Sequence, residues 1–336
     1  MKNNEITEML AACDERRAQR RQFIKMAGGV SAAVAGASLL AGCDDDDDDD
    51  GDVITPTPSP TPTPTPTSPP QVVSDQNILN FALNLEYLEA QFYAFAVNGA
   101  YLPDTLLTGT GTGGAATGAK QVTFTDPMIR AFAREIAADE QAHVAFLRSQ
   151  LGSAAVAQPA LDLRPEGAFT AAARAAGLVG ATATFDPYAN ENNFLLAAFL
   201  FEDVGVTAYK GSAALLESKL YLEAAAGIMA AEGYHAAMVR TALFRRGVQT
   251  PTLIDATESI SNARDSLDGN TDLDQGVRPA VNGVANIVPT DANALAFGRS
   301  AGQVLNIVYL TPTATNKGGF FPSGVNGGLN LSAANG

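Results

Sequence analysis

From Ser74 onward, apolar residues recur at helical spacing in four long stretches. In the first, Ile78, Leu79, Ala82, Leu85, Leu88 and Phe92 share a face, and Ser74 or Asp75 can cap a helix running to about Val97. A Gly/Thr-rich loop follows, from Asn98 to Thr125. Asp126-Pro127 then sets a capping acid before a proline at the first helical position, which predicts a second helix to about Leu151, stopped by Gly152. Residues 153–189 read as a long connection with one short helical segment, Pro165 to Ala176. A third helix is predicted from about Glu191 to Tyr209, and a fourth from about Ser218 to Arg246, ended by Gly247. Two helical hairpins joined by one long crossover predict an all-α, four-helix bundle over residues 74–247. Residues 248–336 are rich in Gly, Asn, Asp, Ser and Pro, with one helix expected at Asp291 to Tyr309. They are expected to form a loop-rich C-terminal extension packed on the bundle.

The polar positions inside these helices carry the chemistry. The chain has only two histidines, and both stand in Glu-x-x-His: Glu140 with His143 on the second helix, Glu232 with His235 on the fourth. At 100° per residue, i and i+3 share a face one turn apart, so both side chains can reach one ion. The first helix carries Glu86 with Tyr93 seven residues on, and the third carries Glu202 with Tyr209 at the same spacing. One Glu from each of two helices plus Glu-x-x-His from the other two is the design of a carboxylate-bridged dinuclear metal site. Four buried carboxylates without counter-charge would be prohibitively costly, whereas two divalent ions match them in charge. Oxygen and imidazole donors suit Fe or Mn, so the expected cofactor is two Fe or two Mn ions.

Several neighbours stay open. Glu89, one turn from Glu86, is an alternative ligand, although only Glu86 has the tyrosine partner. Tyr93 and Tyr209 read either as donors to the ligand carboxylates or as core aromatics with a satisfied hydroxyl. Asp139 and Asp203 adjoin ligands and can orient an imidazole, but an exposed helical acid is the favoured reading of each. Glu135 and Glu223 read as surface charges.

From about Ser74 to Arg246 the chain resembles the ferritin-like superfamily, and within it the exported ferritin-like domains related to plant desiccation-associated proteins. The closer likeness lies in Leu85–Tyr93 (LEYLEAQFY), Phe201–Lys210 (FEDVGVTAYK) and Gly319–Gly324 (GFFPSG). The resemblance implies a ferritin-like bundle whose ligands map onto Glu86, Glu140, His143, Glu202, Glu232 and His235.

Composition narrows the partners. A net charge of −15 argues against nucleic acid. Both cysteines, Cys13 and Cys43, precede the bundle, which therefore has no thiol for iron–sulfur, rubredoxin or zinc–cysteine chemistry, and a rubrerythrin-type peroxidase with its own rubredoxin is excluded. Residues 1–42 read as an export signal: Arg20-Arg21-Gln-Phe-Ile-Lys resembles a twin-arginine motif, followed by 17 uncharged residues from Met26 to Gly42. Leu40-Ala41-Gly42-Cys43 resembles a lipobox, with Cys43 lipidated. Residues 43–73 then read as a linker. Its seven consecutive aspartates (44–50) form a solvated spacer, and its Thr/Pro alternation from Thr55 to Pro70 a polyproline-II spacer able to reach about 50 Å. The expectation is an exported periplasmic or cell-surface lipoprotein whose partners are metal ions, a small oxidant and, through the lipid, a membrane; no oligomeric state is marked. Two functions remain: redox chemistry with dioxygen or peroxide (ferroxidase, peroxidase or catalase-like), or a desiccation- or stress-protective protein whose metal is structural. A closed iron-storage cage fits poorly with an anchor, a spacer and a large extension.

Overall fold

A computed structural model describes residues 73–279 and 283–335. The export signal, Cys43 and the linker up to residue 72 lie outside the described residues. Among the described residues no helix is long and apolar enough to cross a membrane.

Helix α1 spans Asp75–Asn98, begun by Ser74, whose side chain accepts from the Asn77 amide, and ended at Gly99 with φ +69°. Every residue from Ile78 to Ala94 is buried, including Asn80, Asn84 and Gln91. These amides serve the loops that wrap the helix. Asn80 holds the Val156 amide and the Ala154 carbonyl, Asn84 holds both backbone groups of Asn326, and Gln91 holds the Leu102 amide. Polar residues of a helix buried all round must find such partners, because water cannot supply them.

Helix α2 (Pro127–Leu151) starts at Asp126, which accepts from the Met128 amide, and ends at Gly152; one face packs on α1 and the other meets solvent. The crossover contributes a two-residue parallel pair, β1 (Ala116–Thr117) with β2 (Leu161–Asp162), then a π-turn at Pro165–Phe169 and the short α3 (Thr170–Ala175). Helix α4 (Glu191–Ala213) is capped by Asn190 and is as deeply buried as α1; α5 (Lys219–Gly247), capped by Ser218, packs along it. The two hairpins, α1–α2 and α4–α5, form the all-α bundle of the ferritin-like type, with α1 and α4 at its centre.

The extension differs from its expected form. Only Ala301–Tyr309 of the segment 291–309 is helical (α7). Upstream, the Asp291 side chain takes the Asn293 and Leu295 amides and Ala294 adopts φ +59°, so a local turn competes successfully with the helix. The helix begins instead at Ser300, whose side chain forms a capping box with Gln303. A further helix, α6 (Pro251–Asp268), was not expected. Its buried face reads Leu253, Ala256, Thr257, Ile260, Ser261, Arg264 and Asp268, a helical period in which four of seven positions are polar.

Those polar positions have partners. Arg240 of α5, Arg264 of α6 and Arg299 before α7 are at most 1 % exposed. Asp203 accepts from Arg240 (2.7 Å) and Arg264 (3.2 Å); Asp274 accepts from Arg264 (2.9 Å) and Arg299 (2.6 Å); Arg299 also pairs with Asp268. Arg240 further donates to the carbonyls of Gln275, Gly276, Asn286 and Ile287. Asp203 is thus a buried anchor for the extension, not the exposed acid expected. Its unexposed setting was hidden because both arginine partners lie far along the chain. On the other flank an aromatic cluster joins Phe92, Phe169, Phe194, Phe201 and Phe320, with centroids 5.1–5.8 Å apart among its contacting pairs.

Candidate metal centre

Helices α1 and α4 are buried nearly all round, with Glu86 and Glu202 inside, and the more exposed helices α2 and α5 turn only one face to them. On that face stand Glu140 with His143 and Glu232 with His235. The four glutamates are 0 % exposed and His235 1 %, while His143 is half-buried.

Two overlapping quartets result. Glu86, Glu140, His143 and Glu232 each bring one ligand atom within 4.8 Å of the others, and so do Glu140, Glu202, Glu232 and His235. Glu140 and Glu232 belong to both, the position required of bridging carboxylates; Glu86 with His143, and Glu202 with His235, belong to one each. Nδ1 of His143 lies 3.3 Å from Glu86, 3.5 Å from Glu232 and 3.7 Å from Glu140. Nδ1 of His235 lies 3.0 Å from Glu140 and 3.7 Å from Glu202.

The tyrosines act crosswise. Tyr93 donates to Glu202 and Tyr209 to Glu86, both at 2.5 Å, so each glutamate is held by the tyrosine of the other hairpin. Glu86 Oε1 and Glu202 Oε1 are thereby satisfied. Their Oε2 atoms, both oxygens of Glu140 and Glu232, and Nδ1 of both histidines are buried without a hydrogen-bond partner. Eight unpartnered polar atoms converging on one interior point are costly alone and suit a bound cation. This donor set, oxygen and imidazole only, fits Fe or Mn.

The metal-free electrostatics agree. Burial, then the charge of Glu86, pushes Glu140 up to about 8; burial, then Glu140, does the same to Glu232. Burial also raises Glu202 well above the carboxylate range. Burial opposes Glu86 too, but His143 beside it holds it below its ordinary value. Both imidazoles are raised despite burial, by the carboxylates around them. Without cations the cluster keeps its charge down by retaining protons.

Glu89 lies outside both quartets, while Glu86 lies within one. It is buried, and desolvation followed by the charges of Glu232 and Glu140 raises it far above the usual range. It lines a small cavity with Leu85, Leu88, Phe201, Val204 and Gly205. A Cβ at Gly205 would stand 2.8 Å from Glu232 Oε2, although only in ordinary contact with Glu89 Oε1 at 3.4 Å, so the glycine leaves room for Glu232 there. Asp139, for which an exposed acid was the favoured reading, is only half-exposed, and its Oδ2 meets His235 Nε2 at 3.1 Å. Glu135 and Glu223 face solvent. The spacing of acids along one helix carries no sign of the Asp139, Gly205 and crossed tyrosine contacts, because each is made between helices.

Comparison with known proteins places this geometry in context. A family model described as "Ferritin-like domain" matches residues 74–245. The chain is 31 % identical over 265 residues to the desiccation-related protein PCC13-62 of Craterostigma plantagineum, covering 76 % of this chain and 83 % of the relative. It is 27 % identical over 265 residues to the ferritin-like catalase Nec2 of Nesocodon mauritianus, covering 76 % of this chain and 84 % of the relative. No solved structure matches significantly.

Proposed function

The chain belongs to the ferritin-like domain family, and from that premise we propose that it is an exported protein that binds two Fe or Mn ions and uses them on hydrogen peroxide or dioxygen. The observation that carries this reading is the convergence of eight buried, unpartnered ligand atoms in two overlapping quartets. Glu140 and Glu232 would bridge the ions, Glu86 with His143 would complete one position, and Glu202 with His235 the other. The bound pair supplies a two-electron redox couple.

The remaining work falls to the chain. Tyr93 and Tyr209 fix one oxygen of Glu202 and Glu86 and leave the other free to bind. Asp139 accepts from His235 Nε2–H, which keeps Nδ1 as the metal-facing lone pair. Glu89, raised in the metal-free chain first by burial and then by Glu232 and Glu140, would hold a proton beside the cluster. Leu85, Leu88, Phe201 and Val204 keep bulk water from this side of the site. A water-scale oxidant suits such a site; a large organic substrate does not.

The test is peroxide added to protein loaded with Fe(II) or Mn(II), followed with an oxygen electrode and elemental analysis. Half a mole of dioxygen per mole of peroxide marks catalase-like turnover. Peroxide loss that requires an added electron donor marks a peroxidase. Glu140→Ala and His235→Ala should each lose bound ions; unchanged stoichiometry in both would overturn the ligand assignment. A second reading, a protective protein with a structural metal, is favoured by the likeness to a desiccation-related protein. Loaded protein inert to peroxide, dioxygen and ferrous iron would select it. Export and anchoring rest on the Arg20-Arg21 and Cys43 motifs, and Cys43→Ser should release the protein from membranes.

A further inference from the structure

The centre is built twice. Glu86, Tyr93, Glu140 and His143 correspond to Glu202, Tyr209, Glu232 and His235, with the same spacing within each helix and the tyrosines exchanged between the hairpins. The duplication breaks where a side chain touches a ligand nitrogen. Asp139, the residue before Glu140, reaches across to His235 Nε2 at 3.1 Å. The residue before Glu232 is Ala231, whose methyl group has no acceptor to give His143. Among the described residues, no carboxylate lies within ion-pair distance of His143 Nε2; its Nδ1 alone meets acids, all of them ligands.

Exposure follows the same division. The His235 side chain is 2 % exposed and that of His143 13 %. One imidazole is therefore buried and has its tautomer and ring plane set from behind by a carboxylate. The other has neither constraint and touches solvent. An acceptor on the far nitrogen orients a ligating histidine and raises its basicity, and its loss typically costs roughly 10–100-fold in metal affinity.

Resting on the two-ion reading above, we propose that the two metal positions are inequivalent and that Asp139 makes them so. The position completed by Glu202 and His235 binds its ion tightly; the position completed by Glu86 and His143 binds weakly and exchanges with solvent. Asp139 is a positioning residue acting through His235.

The experiment is a manganous-ion titration of the full chain, read by elemental analysis and by the EPR signal of the bound ion, followed by release into a chelator. Wild type should fill in two steps separated by about 10–100-fold in affinity. The first equivalent should give the six-line spectrum of an isolated ion and the second a coupled spectrum. Asp139→Ala should weaken the first step toward the second. Asp139→Asn, which keeps an oxygen acceptor, should restore most of the gap. Ala231→Asp, which supplies the missing twin, should tighten the second step and narrow the gap. Both positions are on partly exposed helix surface, and circular dichroism checks that each variant folds. Two ions bound in one step by wild type, or a two-step titration unmoved by Asp139→Ala, would overturn the inequivalence and leave the two-ion reading intact. Uptake of one ion or none by wild type would overturn both.

Discussion

At the scale of the residue, the centre is a set of acids held close enough that they cannot all be charged without cations. The metal-free protein should therefore carry a pH dependence set by burial. Glu140 and Glu232 titrate near 8 in the fold and in the ordinary carboxylate range when unfolded. The folded state binds more protons between those limits, so stability falls as pH rises through that window. The raised histidines act in the same direction, since what they contribute below their unfolded value is lost as pH climbs through the higher folded one. Glu86, which is lowered, acts only below the ordinary carboxylate range and so leaves this window unaffected. Melting of metal-free protein should drop from pH 5 to pH 8.5, and ion uptake in weak buffer should release protons. A flat metal-free profile would contradict this. Gly205 gives a second expectation. Gly205→Ala puts a methyl 2.8 Å from Glu232 Oε2, and on the proposed two-ion reading a carboxylate shared by both positions could not swing aside without leaving the ions. The variant should fold but bind fewer ions, whereas Glu89→Gln, isosteric with a neutral acid, should bind both. Equal stoichiometry for Gly205→Ala and wild type would argue against Glu232 as a bridge. Four of the six clustered positions were legible because each Glu-x-x-His lies within one helix. Glu89's burial, the glycine that leaves room for Glu232 and the crossing of the tyrosines were not, since they depend on which helix stands opposite.

At the scale of the element, helix starts were legible where one side chain settles a terminus: Ser74 and Asp126-Pro127 cap as the sequence allows, and the helices expected from about Glu191 and Ser218 begin there, capped by Asn190 and Ser218. Helix α6 was missed because Thr257, Ser261 and Arg264 occupy core positions, and their burial makes sense only beside Asp203 and Asp274. The same network yields a stability expectation. Asp274 is 2 % exposed and accepts from both Arg264 and Arg299, with burial outweighed by the two guanidiniums so that its carboxyl stays below its ordinary value. Its contribution is present above the unfolded carboxylate range and is lost as pH falls through the lower folded value. Asp274→Ala leaves two buried cations short of charge, and removing one partner of such a group costs about 3–5 kcal/mol. Urea unfolding should show that loss near neutral pH. A change under ~1 kcal/mol would mean that water replaces the carboxylate freely.

At the scale of the whole molecule, the composition of residues 248–336 suggested loops laid over a finished bundle, but their apolar side chains are core. Val277, Val304, Leu305 and Phe321 are all 0 % exposed, and Phe320 packs edge-on against Phe201 with centroids 5.1 Å apart. Phe201 directly precedes Glu202 of the carboxylate cluster, and Asp203 directly follows it, paired to Arg240 and Arg264. The backbone that presents Glu202 is therefore gripped on both sides: on one by an aromatic contact with the extension, on the other by charged hydrogen bonds from Arg240 of α5 and Arg264 of the extension. Cutting the chain after Gly247 would strip the apolar cover from Phe201 and remove Arg264, Asp274 and four carbonyl partners of Arg240 together. Asn84 of α1 would also lose both bonds to Asn326. Unpaired buried charge and exposed aromatic surface add in the same direction, against a folding free energy of only about 5–15 kcal/mol. The chain ending at Gly247 should then keep much of its helical far-ultraviolet signal, lose near-ultraviolet dichroism, bind a hydrophobic dye and fail to hold two ions. If that shortened chain instead melts cooperatively with full ion content, the extension is a cover and not a support, and the grip on Glu202 must come from α4 and α5 alone.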